Sequence, residues 1–201
     1  MTATHPFQYS DYAGDVALAE RATAGQRAAQ RELFHALKGM VHATLYRVLG
    51  SNEHMEDLLQ DVFVEIFRSL PRYRGESKLT SWAAPIAARV AYHHLRSKRA
   101  HKDNVVVPFQ LHVVGSPEEH AQHREGLQHL YRLLRRMSPE QHLAFALFTV
   151  DGRSIEEIAA LTESSTVAVK NRISRARRKL WDAARKDRVL AYYLAQQGDA
   201  E

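Results

Sequence analysis

SIEEIAALTESSTVAVKNRISRARRKL, residues 154–180, reads as two short helices joined by a turn. Its helix-start chemistry is explicit. Ser154 can cap a first helix while Glu157, three residues on, can reach back to close a capping box, and Ser165 can cap a second helix. Between the caps, Thr162, Glu163 and Ser164 leave room for a tight corner. In the second helix Val169, Ile173, Ala176 and Leu180 recur at i, i+4, i+7 and i+11, a narrow apolar stripe expected to pack on Ile155, Ile158 and Leu161. The remaining arc carries Lys170, Asn171, Arg172, Ser174, Arg175, Arg177, Arg178 and Lys179. Point charges for phosphates thus sit beside groups able to reach base edges, the combination a major-groove helix needs. The competing reading is an amphipathic helix with a solvated basic face.

Outward from this stretch, 201 residues leave room for one or two domains with ordinary cores. The chain has no cysteine, which removes disulfides, thiolate metal sites and cysteine nucleophiles together and fits a reducing compartment. The N-terminal MTATHPFQYSDY has neither a basic start nor an apolar stretch, and the longest apolar run, 143–150, is too short to span a membrane. A cytoplasmic protein without membrane insertion is the expectation. A net charge of +5 and a pI near 9.6 favour a polyanionic partner, and the charge is unevenly placed. Residues 165–188 hold nine Lys or Arg against two Asp, whereas 51–65 hold five acids and neither Lys nor Arg. The two ends are expected to face different partners.

Taken in order, 15–24 and 25–49 read as helices, the second with a broad apolar face and Gly50 as its stop. In 51–70 Met55, Leu58, Leu59, Val62, Phe63, Ile66, Phe67 and Leu70 repeat with helical period, and the opposite face lines up Glu53, Asp57, Gln60, Asp61 and Val64. That stripe is either a solvated face favoured by the helix dipole or a docking rib for a basic partner. Pro71 closes the helix, and a second long one is expected from about Lys78 to His101, with Pro85 kinking it or marking its first turn. Beside its buried side lie Trp82, Arg89, Tyr92, His93 and Arg96, with Arg99 beyond. Interleaved rings and guanidinium groups suit single-stranded nucleic acid, while Trp82 can equally be half-buried core. Residues 102–117 lose helical period and contain Pro108, Gly115 and Pro117, so they read as a linker, with a packed or strand-like segment as the alternative. Helices at 118–136 and 139–150 follow, the second capped by Ser138.

Three segments, EDLLQDVFVEIFRSLPRYRG at 56–75, SKLTSWAAPIAARVAYHHLRSKR at 77–99 and MSPEQ at 137–141 continuing into 154–180, resemble the bacterial RNA polymerase sigma factors of the extracytoplasmic-function type. The resemblance covers about 15–185. It implies an all-α fold of two small helical domains, 1–101 and 118–201, joined by the linker 102–117, the C-terminal one a helix-turn-helix domain. By the same resemblance Asp57, Gln60, Asp61 and Val64 would meet core polymerase, whose contacts would be the clamp helices of the largest subunit and the flap. Arg74, Lys78, Ser81, Trp82, Arg89, Tyr92, His93 and Arg96 would hold the opened minus-ten strand. Ser165, Thr166, Lys170, Asn171, Ser174, Arg175 and Arg178 would face the minus-thirty-five duplex. The chain departs from the family at Ala88 and Arg89, where Arg-Asn is common, at His93, where an acid is common, and at Thr162 to Ser164, where the corner usually carries a leucine, a glycine and an aliphatic residue.

The function implied is to direct core polymerase to promoters by binding, with no bond chemistry by this chain and no cofactor or metal. An anti-sigma factor is a further expected partner. The alternative is a stand-alone helix-turn-helix regulator that binds duplex DNA as a dimer. Against an enzyme, there is no phosphate-binding glycine loop and no nucleophile motif, and the twelve histidines are scattered. His120 and His123 beside Glu119 form only a fragment of a metal site.

Overall fold

The computed structural model describes residues 12–100 and 117–185, and their side chains over 12–97 and 126–185. The expected linker therefore falls outside the described residues except for Pro117, as does the tail 187–201. Among the described residues the helices are α1 (Ala13–Thr23), α2 (Arg27–Leu49), α3 (Met55–Ser69), α4 (Leu79–Ala100), α5 (Pro117–Leu134), α6 (Pro139–Phe145), α7 (Ile155–Leu161) and α8 (Thr166–Ala184). None is long and apolar enough to cross a membrane.

Helix α2 is the spine of the N-terminal half. Its Leu33, Leu37, Val41, Leu45 and Val48, fully buried, recur every three or four residues and pack against α1, α3 and α4. Gly50 ends it in the left-handed conformation, φ +64°, with its N–H donating to the Tyr46 carbonyl. The next helix begins at Met55, the first residue of its apolar repeat, and not at Ser51, because His54 also sits at positive φ and breaks the helical path just before it. At the other end Leu70–Arg72 tighten into a 3-10 turn that accommodates Pro71. Pro85 lies inside α4, past its first turn.

In the C-terminal half, Ser138 caps α6 by accepting the Gln141 N–H at 3.2 Å. The expected continuous helix 139–150 is instead α-helical to Phe145 and π-helical over Ala146–Val150, where the Asp151 N–H reaches back five residues to the Ala146 carbonyl. The capping box on α7 is complete: Glu157 N–H to Ser154 Oγ at 3.1 Å, and Ser154 N–H to Glu157 Oε2 at 2.8 Å. Ser165 caps α8, accepting the Ala168 N–H. The stripe Val169, Ile173, Ala176 and Leu180 is buried as its spacing implies.

The corner between α7 and α8 shows how the chain does without a glycine. Glu163 takes the left-handed conformation itself, φ +50°. The flanking hydroxyls compensate: Thr162 Oγ1 lies 2.7 Å from Ser164 Oγ, and the Arg172 guanidinium donates to Ser164 Oγ at 3.0 Å and to Thr162 Oγ1 at 3.4 Å. A hydrogen-bonded clasp stands where aliphatic packing would serve.

The two halves meet at the C-terminus of α2, where a helix leaves its last carbonyls without helical partners. Tyr131 of α5 donates its hydroxyl to the Arg47 carbonyl, and His142 of α6 sets Nε2 2.8 Å from the Val48 carbonyl. The Tyr131 ring lies where a Cβ on Gly50 would be, about 2.1 Å from its nearest carbon, so only glycine leaves space for it. Asp151, its side chain 4% exposed, accepts from Arg47 across the interface and from Arg153 at 2.9 Å. Burial pushes the His142 imidazole down to about 4, with the nearby Arg135 charge acting the same way and the Val48 hydrogen bond opposing both. His142 is therefore a neutral imidazole at neutral pH, its Nε2–H donating to Val48.

Two predictions follow from these local geometries. Replacing Glu163 with glycine relieves a positive φ, and should raise stability by about 0.5–1 kcal/mol, seen as a higher Tm by circular dichroism; an unchanged or lower Tm would show that the corner is unstrained. For His142, the unfolded chain binds a proton below its ordinary pKa of 6.5 while the folded chain resists until about 4. Stability should therefore fall as pH drops through that window, by roughly 3 kcal/mol in total. His142→Gln, which keeps a donor for Val48, should flatten this part of a Tm-versus-pH profile, and parallel profiles would refute the assignment.

Candidate nucleic-acid and partner interfaces

The acidic rib is built on α3. Met55, Leu58, Val62, Phe63 and Ile66 are drawn into the core, and this turns Asp57, Gln60, Asp61 and Val64, at i, i+3, i+4 and i+7, outward together. All four are exposed, and Val64 keeps half of its surface in solvent, an apolar group left uncovered between acids. Asp61 and Val64 also line a groove of about 600 Å³ between α3 and α4, whose far wall includes Ile86, Arg89, Val90 and His93.

The second candidate surface runs along the loop before α4 and then along α4 itself. The loop is pinned from a distance. Asp15 of α1 accepts the Leu79 N–H at 2.8 Å and so caps α4 from 64 residues away. Gly75, at φ +70°, lies so close to α1 that a Cβ there would sit 2.4 Å from a Val16 methyl carbon. Tyr73 donates its hydroxyl to the Ser77 carbonyl at 2.7 Å. On this frame Arg74, Lys78 and Ser81 are exposed, and Trp82 is half-buried, packed on the core with its ring 5.3 Å from that of Tyr73. Trp82 thus belongs in part to the core and in part to the surface.

Further along α4, Arg89, His93 and Arg96 are exposed. Tyr92 between them is half-buried: its hydroxyl faces Glu140 Oε1 at 3.4 Å, and the Arg96 guanidinium lies 5.7 Å from its ring centre. Burial first, then the Glu140 charge, push the Tyr92 phenol up, so it stays a protonated donor. The C-terminal half approaches here. A second groove, about 240 Å³, separates Pro85 and Arg89 from Leu147, Arg153, Glu157 and Ile158. The minus-ten candidates therefore fall into an open group near Lys78 and a group at Arg89 and Tyr92 that α6 and α7 partly roof.

On α8 the basic residues divide by what they touch. Arg172 holds the corner, Arg177 lies 5.5 Å from the Phe148 ring centre, and Lys179 donates to Gln141 Oε1 at 3.0 Å. Those three serve the domain. Lys170, Asn171, Ser174, Arg175 and Arg178 are exposed and project away from the buried stripe. Ser165 uses its hydroxyl oxygen as the helix cap and Thr166 is half-exposed beside it. Asp15 and Glu140 carried no signal as site-organising residues, since each acts on a segment remote in sequence. Among the described residues no three His, Asp or Glu side chains are grouped to hold a metal, and the side chains of Glu119, His120 and His123 lie outside them.

Comparison with known proteins agrees with this geometry. The Sigma-70 region 2 family matches residues 33–101 and Sigma-70, region 4 matches 127–180, together more than half of the chain. The chain is 26% identical over 178 residues to the ECF RNA polymerase sigma-E factor of Escherichia coli (strain K12), covering 84% of this chain and 93% of that protein. With the sigma-E factor of Haemophilus influenzae the identity is 27% over 173 residues, covering 81% and 91%. In fold it is similar to CnrH, solved with the cytosolic domain of CnrY (TM-score 0.56, 22% identity, 86% of this chain and 98% of that one). It is also similar to the sigma factor RpoE of Bartonella quintana, solved with the anti-sigma factor NepR (TM-score 0.54, 22% identity, 78% and 97%). With both family matches falling on the two halves described above, the chain belongs to the sigma-70 family, extracytoplasmic-function type, whose members direct RNA polymerase to promoters.

Proposed function

We propose a division of labour within that role. Residues 1–101 dock on core polymerase and hold the minus-ten strand, 118–201 bind the minus-thirty-five duplex, and 102–117 tether them. Asp57, Gln60, Asp61 and Val64 form the rib that meets the clamp helices of the polymerase largest subunit, and the flap completes the contact with core. Arg74, Lys78, Ser81, Trp82, Arg89, Tyr92, His93 and Arg96 receive the melted strand by stacking and backbone charge. Melting costs a few kcal/mol per unstacked base, and capture of extruded bases offsets that cost. Ser165, Thr166, Lys170, Asn171, Ser174, Arg175 and Arg178 face the upstream major groove. The chain acts by binding alone, in the cytoplasm.

The observation that carries this reading is the character of the two exposed stripes. An acidic rib with the half-exposed Val64 inside it suits a protein partner better than water, since interface centres are apolar and ringed by polar groups. The free face of α8 offers cations and an amide opposite a buried stripe, which suits a duplex. At Tyr92 the hydroxyl is held by Glu140, which orients the ring beside Arg96. CnrH and the Bartonella RpoE were each solved with a partner, CnrY and NepR, and by analogy an anti-sigma factor is the proposed antagonist here.

Run-off transcription with core polymerase, alongside a direct core-binding assay, tests both stripes. Asp61→Arg should abolish core binding, because it places a like charge against a basic partner surface. Arg178→Ala should leave core binding intact and weaken promoter binding about tenfold. Full promoter-dependent activity in both variants would sink the residue assignments. Twofold-symmetric duplex binding by the chain without polymerase would favour a stand-alone regulator instead.

A further inference from the structure

Val167 is the second residue of α8 and stands 65% exposed, more than Val64 or Trp181, the other large exposed hydrophobic side chains among the described residues. At about 100° per residue, Lys170, Asn171, Ser174 and Arg178 fall within roughly 60° of Val167 around the helix, and Val169, Ile173, Ala176 and Leu180 fall on the far side. Val167 is thus aimed opposite the core, in the middle of the polar face, and lies outside the hydrophobic core. A β-branched residue there also lowers helix propensity slightly. Its neighbours on that face offer hydrogen bonds and charge, and it offers neither.

Major-groove base edges present donors and acceptors, with a single apolar group among them, the 5-methyl of thymine. A compact branched alkyl group set among polar readers on the first turn of a groove helix is complementary to that methyl, the one methyl group on the major-groove base edges. We propose that Val167 is a specificity-determining residue of the upstream contact, packing its isopropyl group on the 5-methyl of one thymine; this rests on the reading of α8 as the minus-thirty-five helix. The contact excludes water from two small apolar surfaces, so its effect is a discrimination of about three- to tenfold against a base lacking the methyl.

The test uses the full-length chain assembled with core polymerase. Duplexes randomised through the upstream element are selected by holoenzyme binding and sequenced, and each thymine of the preferred sequence is then replaced singly by uracil. Uracil removes the methyl and keeps the base-pairing edge and the O4 acceptor. Wild-type holoenzyme should lose about three- to tenfold affinity at one position. Val167→Ala should bind the thymine and uracil duplexes there equally, and Val167→Ile should keep the preference. Equal core binding and circular dichroism of the variants guard against a folding artefact. Upstream selection without any uracil effect, or a Val167→Ala holoenzyme that still prefers thymine, overturns the inference and leaves the proposed function standing. Absence of any upstream preference in the wild type overturns both.

Discussion

The arrangement of the two halves depends on how α2 ends. A helix that stops inside a protein leaves carbonyls that water cannot reach, and burying them unpaired is costly. Here the N–H of Gly50 satisfies one, and the other two described partners, Tyr131 and His142, come from the C-terminal half. The spine of one domain is therefore capped by the other. Gly50 makes this geometry available twice over, by its left-handed turn and by lacking a Cβ where the Tyr131 ring lies. Asp151 adds a carboxylate between Arg47 and Arg153, and its near-complete burial means that either guanidinium alone would leave its charge less well compensated.

That capped junction has consequences for the surfaces around it. It brings α6 and α7 over the middle of α4, so Arg89 shares a groove with the C-terminal half and Tyr92 meets Glu140, while the loop near Lys78 stays open. It leaves the acidic rib of α3 and the free face of α8 uncovered. Its polar contacts sit on a hydrophobic core that runs through both halves, with Tyr131 and Leu147 buried beside them.

Basic residues on one helix need not share one task. On α8, Arg172, Arg177 and Lys179 are spent on the corner, on Phe148 and on Gln141, which keeps the helix at a fixed angle to α6 and α7. Arg172 bridges Thr162 and Ser164 from a single guanidinium nitrogen, Nη1, which donates to both hydroxyls. The exposed set then stands on a helix anchored at several points, as the proposed reading of base edges at hydrogen-bond distances would require.

Much of this was legible in the residue order. Helical period fixed which sides of α2, α3 and α8 are buried, and the caps at Ser138, Ser154 and Ser165 marked helix starts to the residue, because both signals act over a single turn of chain. The rib Asp57, Gln60, Asp61 and Val64 and the free face of α8 are by-products of the same period, so the candidate residues could be named in advance. Tertiary structure alone decided the rest: that Asp15 caps α4, that Glu140 meets Tyr92, that His142 and Tyr131 close α2, and that only part of the α8 charge is free. The first three join groups from 48 to 94 residues apart through hydrogen bonds a few ångströms long, and no local periodicity encodes which remote groups will meet. Sequence determined the faces, because burial follows the pitch of a helix; the fold determined their partners, because only packing brings distant donors and acceptors together.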